Sequence, residues 1–168
     1  ALLLLGPVAA SAAPSVRAPA AFADAGVFEF QHLRGRLFFR APSRFRTRPS
    51  HADQLHVSLR WDGEWIAEDP GTYSYNAPGG WDGFAGSRFH NLVTVDDADC
   101  MRRAGRFLWL PWTTCDVRHQ FAGAIASHLG FPGFKASRRV LRVANGFVIV
   151  DRLMSVSGRP GRCVLRWH

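Results

Sequence analysis

Four residues near the middle of the chain are of types that do chemistry together: His51 and Asp53 in His-Ala-Asp, Asp69 in Asp-Pro-Gly-Thr-Tyr, and His90 in His-Asn. Imidazoles and carboxylates gathered at one point have two uses. They can ligate a metal ion, or they can form a hydrogen-bonded His–Asp cluster without one. Both uses require elements that carry positions 51, 69 and 90 to the same edge of the fold.

The elements that must do this read as strands. Side chains of a strand alternate faces with period two. From His51 the odd set is His51, Asp53, Leu55, Val57, Leu59 and Trp61, and the even set is Ala52, Gln54, His56, Ser58, Arg60 and Asp62. The odd set is apolar after its first two members, which predicts a half-buried strand with His51 and Asp53 core-facing at one end. Asp62-Gly63 is a hairpin turn signal, and Pro70-Gly71 ends the return strand. A two-residue loop pairs Trp61 with Glu64 and puts Asp69 on the face opposite His51. A three-residue loop with Gly63 in a bulge puts Trp65, Ala67 and Asp69 on the face of His51. The second register has the better hydrophobic pattern, since it buries Trp65 and exposes Glu64 and Glu68. The strand beginning near Phe89 then carries His90 to the same edge.

The segments HADQLHVSLRWDGEW, DPGTYSYN, HNLVTVD and GRFLWLPW, in this order, resemble the C-terminal β-sandwich domain of heparinase II/III-like polysaccharide lyases. The resemblance covers roughly residues 26 to 154. It implies an all-β fold, a two-layer antiparallel β-sandwich, lacking the α/α-toroid domain that precedes it in the family. It implies a structural zinc ion on His51, Asp69 and His90, which would fill three corners of a tetrahedron. Asp53 would then stand behind His51 and orient its ring.

The activity so implied is β-elimination on a uronic-acid-containing polysaccharide, heparin- or heparan-sulfate-like or alginate-like. That reaction needs the carboxylate neutralised, a base for the C5 proton and an acid for the leaving oxygen. In the family most catalytic residues sit in the toroid, so none is assigned here, and the chain alone is expected to be inactive. Many members carry a histidine two residues before that of the HAD motif, where this chain has Pro49. Substrate contacts are expected at Tyr75, on an aromatic Gly-rich loop, and at Arg48, in the rim APSRFRTRPS. The alternative is a non-catalytic carbohydrate-binding or structural β-sandwich, which would keep loop and rim but need no toroid.

The 168 residues correspond to about one domain, and 47% hydrophobic and 12% aromatic residues can bury a core. Sixteen glycines and ten prolines among short apolar runs favour strands and turns. The net charge of +8 comes almost wholly from arginine, Lys135 being the only lysine. Arginine forks suit carboxylate and sulfate as well as phosphate, so an anionic polysaccharide is the expected partner. No nucleic-acid module accompanies the charge, so no nucleic-acid role is expected.

Cys100, Cys115 and Cys163 are odd in number and show no CxxC spacing, which reads as separate thiols. Residues 1–25 begin with an apolar, Ala-rich run. It reads as a linker or the remnant of a preceding domain rather than a signal peptide, and it is too short to cross a membrane. The sandwich is expected over residues 26–168, cut at its C-terminus, in a periplasmic or secreted protein.

Further along, a hairpin turning at Arg34-Gly35 is expected, then strands over 91–95 and 106–112. Residues 121–128 are open between strand and helical turn. The chain closes with a hairpin around Asn145-Gly146. His32, His119 and His128 read as ordinary surface or core histidines.

Overall fold

The computed structural model describes residues 20–72, 74 and 84–168. The described residues contain strands, turns and short 3-10 segments, including the turn at Ser87–Phe89, with no α-helix among them. Among the described residues no helix is long and apolar enough to cross a membrane.

One sheet has five antiparallel strands in sequence order: β1 (Ala20–Phe22), β2 (Val27–Gln31), β3 (Gly35–Arg40), β4 (Val57–Trp61) and β5 (Glu64–Ala67). The other has four, in the order β12 (Gly146–Ser155), β11 (Phe134–Val143), β10 (Gly123–His128) and β9 (Asp116–Gln120). Two short ribbons complete the fold, β6 (Val93–Val95) with β13 (Cys163–Leu165) and β7 (Arg102–Gly105) with β8 (Leu108–Leu110). The all-β antiparallel β-sandwich expected from the sequence is the fold observed. Ala20–Phe22, inside the stretch expected as linker, pair with β2.

Alternation builds the core. Phe28 and Phe30 face inward on β2, opposite Phe39 and Leu37 on β3, and Val57 and Leu59 continue both rows on β4. Ala124, Ala126, Ala136 and Val140 supply the facing layer from the second sheet, in one continuous cluster. Small residues there leave room for the phenylalanines opposite. Burying them is the main stabilising term of the fold.

The β4–β5 hairpin differs from expectation. Asp62 and Gly63 have φ of 48° and 89°, and Trp61 pairs with Glu64, so the loop has two residues. Arg60 pairs with Trp65, which puts Trp65 on the outer face, where it is 45% exposed. A bulge follows. Leu59 pairs with Ala67, Ile66 is the extra residue, and Ala67 returns to the buried face. The face change that a three-residue loop would have made at the turn is made one step later, within the strand.

Residues 51–56 also differ, since the strand begins only at Val57. Leu55 has φ of 70°, a left-handed conformation that breaks the alternation. Gln54 and His56, assigned outward by period two, are buried. His90 lies just after the 3-10 turn, ahead of β6, which covers 93–95 of the expected strand. Residues 123–128 settle as strand, and 108–110 are the paired part of the expected strand over 106–112.

Candidate metal centre

Three loops converge at one end of the first sheet: 50–56, 68–72 and 84–91. Each is fixed by hydrogen bonds to specific backbone groups. Ser87 Oγ donates to Ala52 O at 2.7 Å and accepts from Cys100 N–H at 3.0 Å. Trp109 Nε1–H donates to Ser50 O at 2.9 Å. Asn91 Nδ2 donates to Val57 O and to Glu68 O, both at 3.0 Å, tying the end of β4 to the segment after β5. In the His-Asn pair, the asparagine therefore holds the backbone and the histidine is left for the site.

From below, Arg138 of β11 reaches through the core. It grips Asp151 with Nε and Nη2 at 2.7 and 2.8 Å, and its Nη1 donates to the carbonyls of Leu55 and Asn91. Its guanidinium lies 5.6 Å from the ring centre of Trp167. An arginine with no exposed surface is tolerated because its charge and donors are met.

These supports bring ligand atoms of His51, Asp69 and His90 within 4.8 Å of one another. His90 has no exposed surface. Its Nδ1 lies 3.2 Å from Asp69 Oδ2, off the direction a hydrogen bond needs, and neither ring nitrogen has a hydrogen-bond partner among the described residues. A buried imidazole with both nitrogens unsatisfied is costly unless something binds it. His51 Nε2 is 3.5 Å from Thr72 Oγ1.

Burial raises the Asp69 pKa, but the contact and charge of His90, the Gly71 N–H at 2.8 Å and the charge of His56 outweigh it. The carboxyl is held well below the usual carboxylate range. Burial, and then the charge of His90, lower the His51 pKa. The site is thus an anionic carboxylate beside His51, an imidazole that resists protonation, and the buried ring of His90, which together are a donor set suited to a divalent cation.

His56 is a member that alternation missed. Its Nε2 lies 3.6 Å from Asp69 Oδ2 and 2.8 Å from Ser58 Oγ. The Asn91 N–H donates to its Nδ1 at 3.0 Å, so the ring proton sits on Nε2 and the ring is committed to hydrogen bonding. Burial, then His90, push its pKa down to about 3.

Asp53 pairs with Arg40 at 3.3 Å through Oδ2, and its buried Oδ1 has no hydrogen-bond partner among the described residues. Arg48 is exposed on the loop before the site, and Pro49 is buried beside it. Tyr75 lies outside the described residues. The three cysteines are free thiols, and burial pushes Cys100 up to about 12, which rules it out as a nucleophile at neutral pH.

The sequence matches the family described as Heparinase II/III-like, C-terminal, over residues 14–168. The chain belongs to the heparinase II/III-like C-terminal domain family. Solved structures agree on the fold. A heparinase III, the BT4657 gene product, superposes with a TM-score of 0.62 at 19% identity, over 82% of this chain and 22% of its own. Heparan sulfate lyase HepC from Pedobacter heparinus gives 0.61 at 16% identity, over 83% and 22%. A further heparinase III gives 0.63 at 17% identity, over 84% and 23%. This heparinase II/III-like chain therefore spans less than a quarter of those proteins. Comparison with curated protein sequences gives no match.

Proposed function

We propose that this chain is the sandwich portion of a polysaccharide lyase, joined to an upstream α/α-toroid domain and acting by β-elimination on a uronic-acid-containing polysaccharide outside the cytoplasm. A zinc ion held by His51, Asp69 and His90 braces it. The observation that carries the zinc assignment is His90, fully buried beside an ionised carboxylate, with two ring nitrogens that find no hydrogen-bond partner among the described residues. When bound, zinc supplies a positive centre that replaces the missing hydrogen bonds and ties three loops together.

The chain's own residues do the rest. Asn91 and Arg138 hold the loop backbones, and His56 shares the Asp69 carboxylate. Tyr75 and Arg48 meet the polymer at the rim, where an arginine fork answers a uronate or sulfate. The base and acid of the elimination belong to the toroid. The chain alone forms no unsaturated product, and an ultraviolet assay for unsaturated uronate checks this. Pro49, where many relatives carry histidine, favours as second reading a carbohydrate-binding sandwich without activity.

Metal content of the purified chain tests the zinc proposal. About one zinc per chain is expected in the parent protein and close to none in His90→Ala or His51→Ala. Equal zinc in all three would remove the assignment.

A further inference from the structure

The outward face of the four-stranded sheet gathers positive charge that the fold does not use. Cross-strand pairing sets Arg118 and Arg139 on either side of Ile125, Arg152 opposite Ser137, and Lys135 opposite Met154. None of these four side chains has an ion pair, hydrogen bond or ring contact among the described residues.

Other arginines are paired: Arg34 with Asp62, Arg44 and Arg46 with Asp24, Arg159 with Asp96, and Arg162 and Arg166 with Asp97. The same face carries a depression of about 300 Å³ lined by Arg118, Lys135, Arg152, Ser127, Ser137 and Met154, with Asp116 as an acidic member of the lining.

Like charges held close on a rigid sheet repel one another, and a multivalent anion laid across them relieves that repulsion. The cations stand one or two strand spacings apart, roughly 5–10 Å, the scale of one or two sugar rings. Their forks accept carboxylate or sulfate with two parallel hydrogen bonds, and the serine hydroxyls can bond sugar hydroxyls. The outward positions of β9 to β12 carry no aromatic residue. Single-stranded nucleic acid would call for stacking platforms there.

We infer that the outer face of β9–β12 is a binding surface for an anionic polysaccharide, distinct from the metal centre, which the inner face of the same sheet supports through Arg138. It would grip the polymer away from the site of cleavage.

Binding of the protein to heparin and to alginate, followed across salt concentrations, tests this. Arg118→Ala/Arg139→Ala is expected to weaken binding by roughly tenfold and to lower the salt dependence by about two charges. Arg36→Ala/Arg60→Ala removes the same charge from the outer face of the other sheet and is expected to change affinity less than twofold. Preference for heparin identifies sulfate as the group gripped, and equal binding identifies carboxylate.

Lys135→Ala/Arg152→Ala is a second, independent pair, and circular dichroism confirms that each variant folds. Equal losses from both faces, no binding by the parent protein, or equally tight binding of DNA or phosphatidylserine vesicles through the same arginines would overturn the inference.

Discussion

The long hairpin of β11 and β12 and the three loops of the candidate metal centre solve the problem of buried polar groups in opposite ways. The hairpin pairs ten residues in unbroken register, from Phe134 with Ser155 to Val143 with Gly146, so its backbone satisfies itself. The loops have no such ladder. Their carbonyls and amides are met one by one by Ser87, Asn91, Trp109 and Arg138. A ladder tolerates exchange of a single side chain. A loop stapled by side chains does not, and Arg138 is where the two solutions meet.

Removing that junction should have the largest effect. Arg138→Met leaves Asp151 without its partner and the Leu55 carbonyl without a donor, and should lower unfolding stability by about 4 kcal/mol in denaturant titration. If the proposed zinc is bound, the substitution should also weaken its retention without touching a ligand.

Next comes acid. Burial pushes His128 down to about 4, where its Nδ1 accepts the Gly130 N–H at 3.0 Å. The unfolded ring binds its proton more tightly than the folded one, so stability is complete above roughly pH 6.5 and drains away as pH falls toward about 4. The loss from this ring is about 3 kcal/mol, and His128→Asn should flatten that part of the thermal-melting profile.

Asn91→Ala removes the donors to Val57 and Glu68 and should cost about 2 kcal/mol by the same titration. Val148→Thr, on the exposed side of the hairpin, should change stability by less than about 0.5 kcal/mol. If Asn91→Ala proved as mild as Val148→Thr, the contrast between ladder and staples would collapse.

The same contrast separates what was legible in the sequence from what was not. The turn signals at Arg34-Gly35 and Asn145-Gly146, set between apolar runs, placed their hairpins directly. The loops follow no period. Alternation run backward from Val57 put His56 outside, because nothing in the residue types announces that Leu55 turns left-handed. Trp65 reads as buried by its type, and the two-residue loop at Asp62-Gly63 leaves it on the surface. Arg138 sits among Arg139 and Arg142, and no local signal marks which of the three the core takes in. Three candidate donors were legible as types, and their convergence within 4.8 Å depends on those loops.

Arg138 has one more consequence. Its guanidinium joins the carbonyls flanking His56 and His90 to the centre of β11, so under the zinc proposal filling the site and quieting that strand become one equilibrium seen from two ends. Amide hydrogens in the middle of the hairpin should exchange with solvent more slowly when the centre is filled. By reciprocity, whatever loosens the hairpin should release the ion.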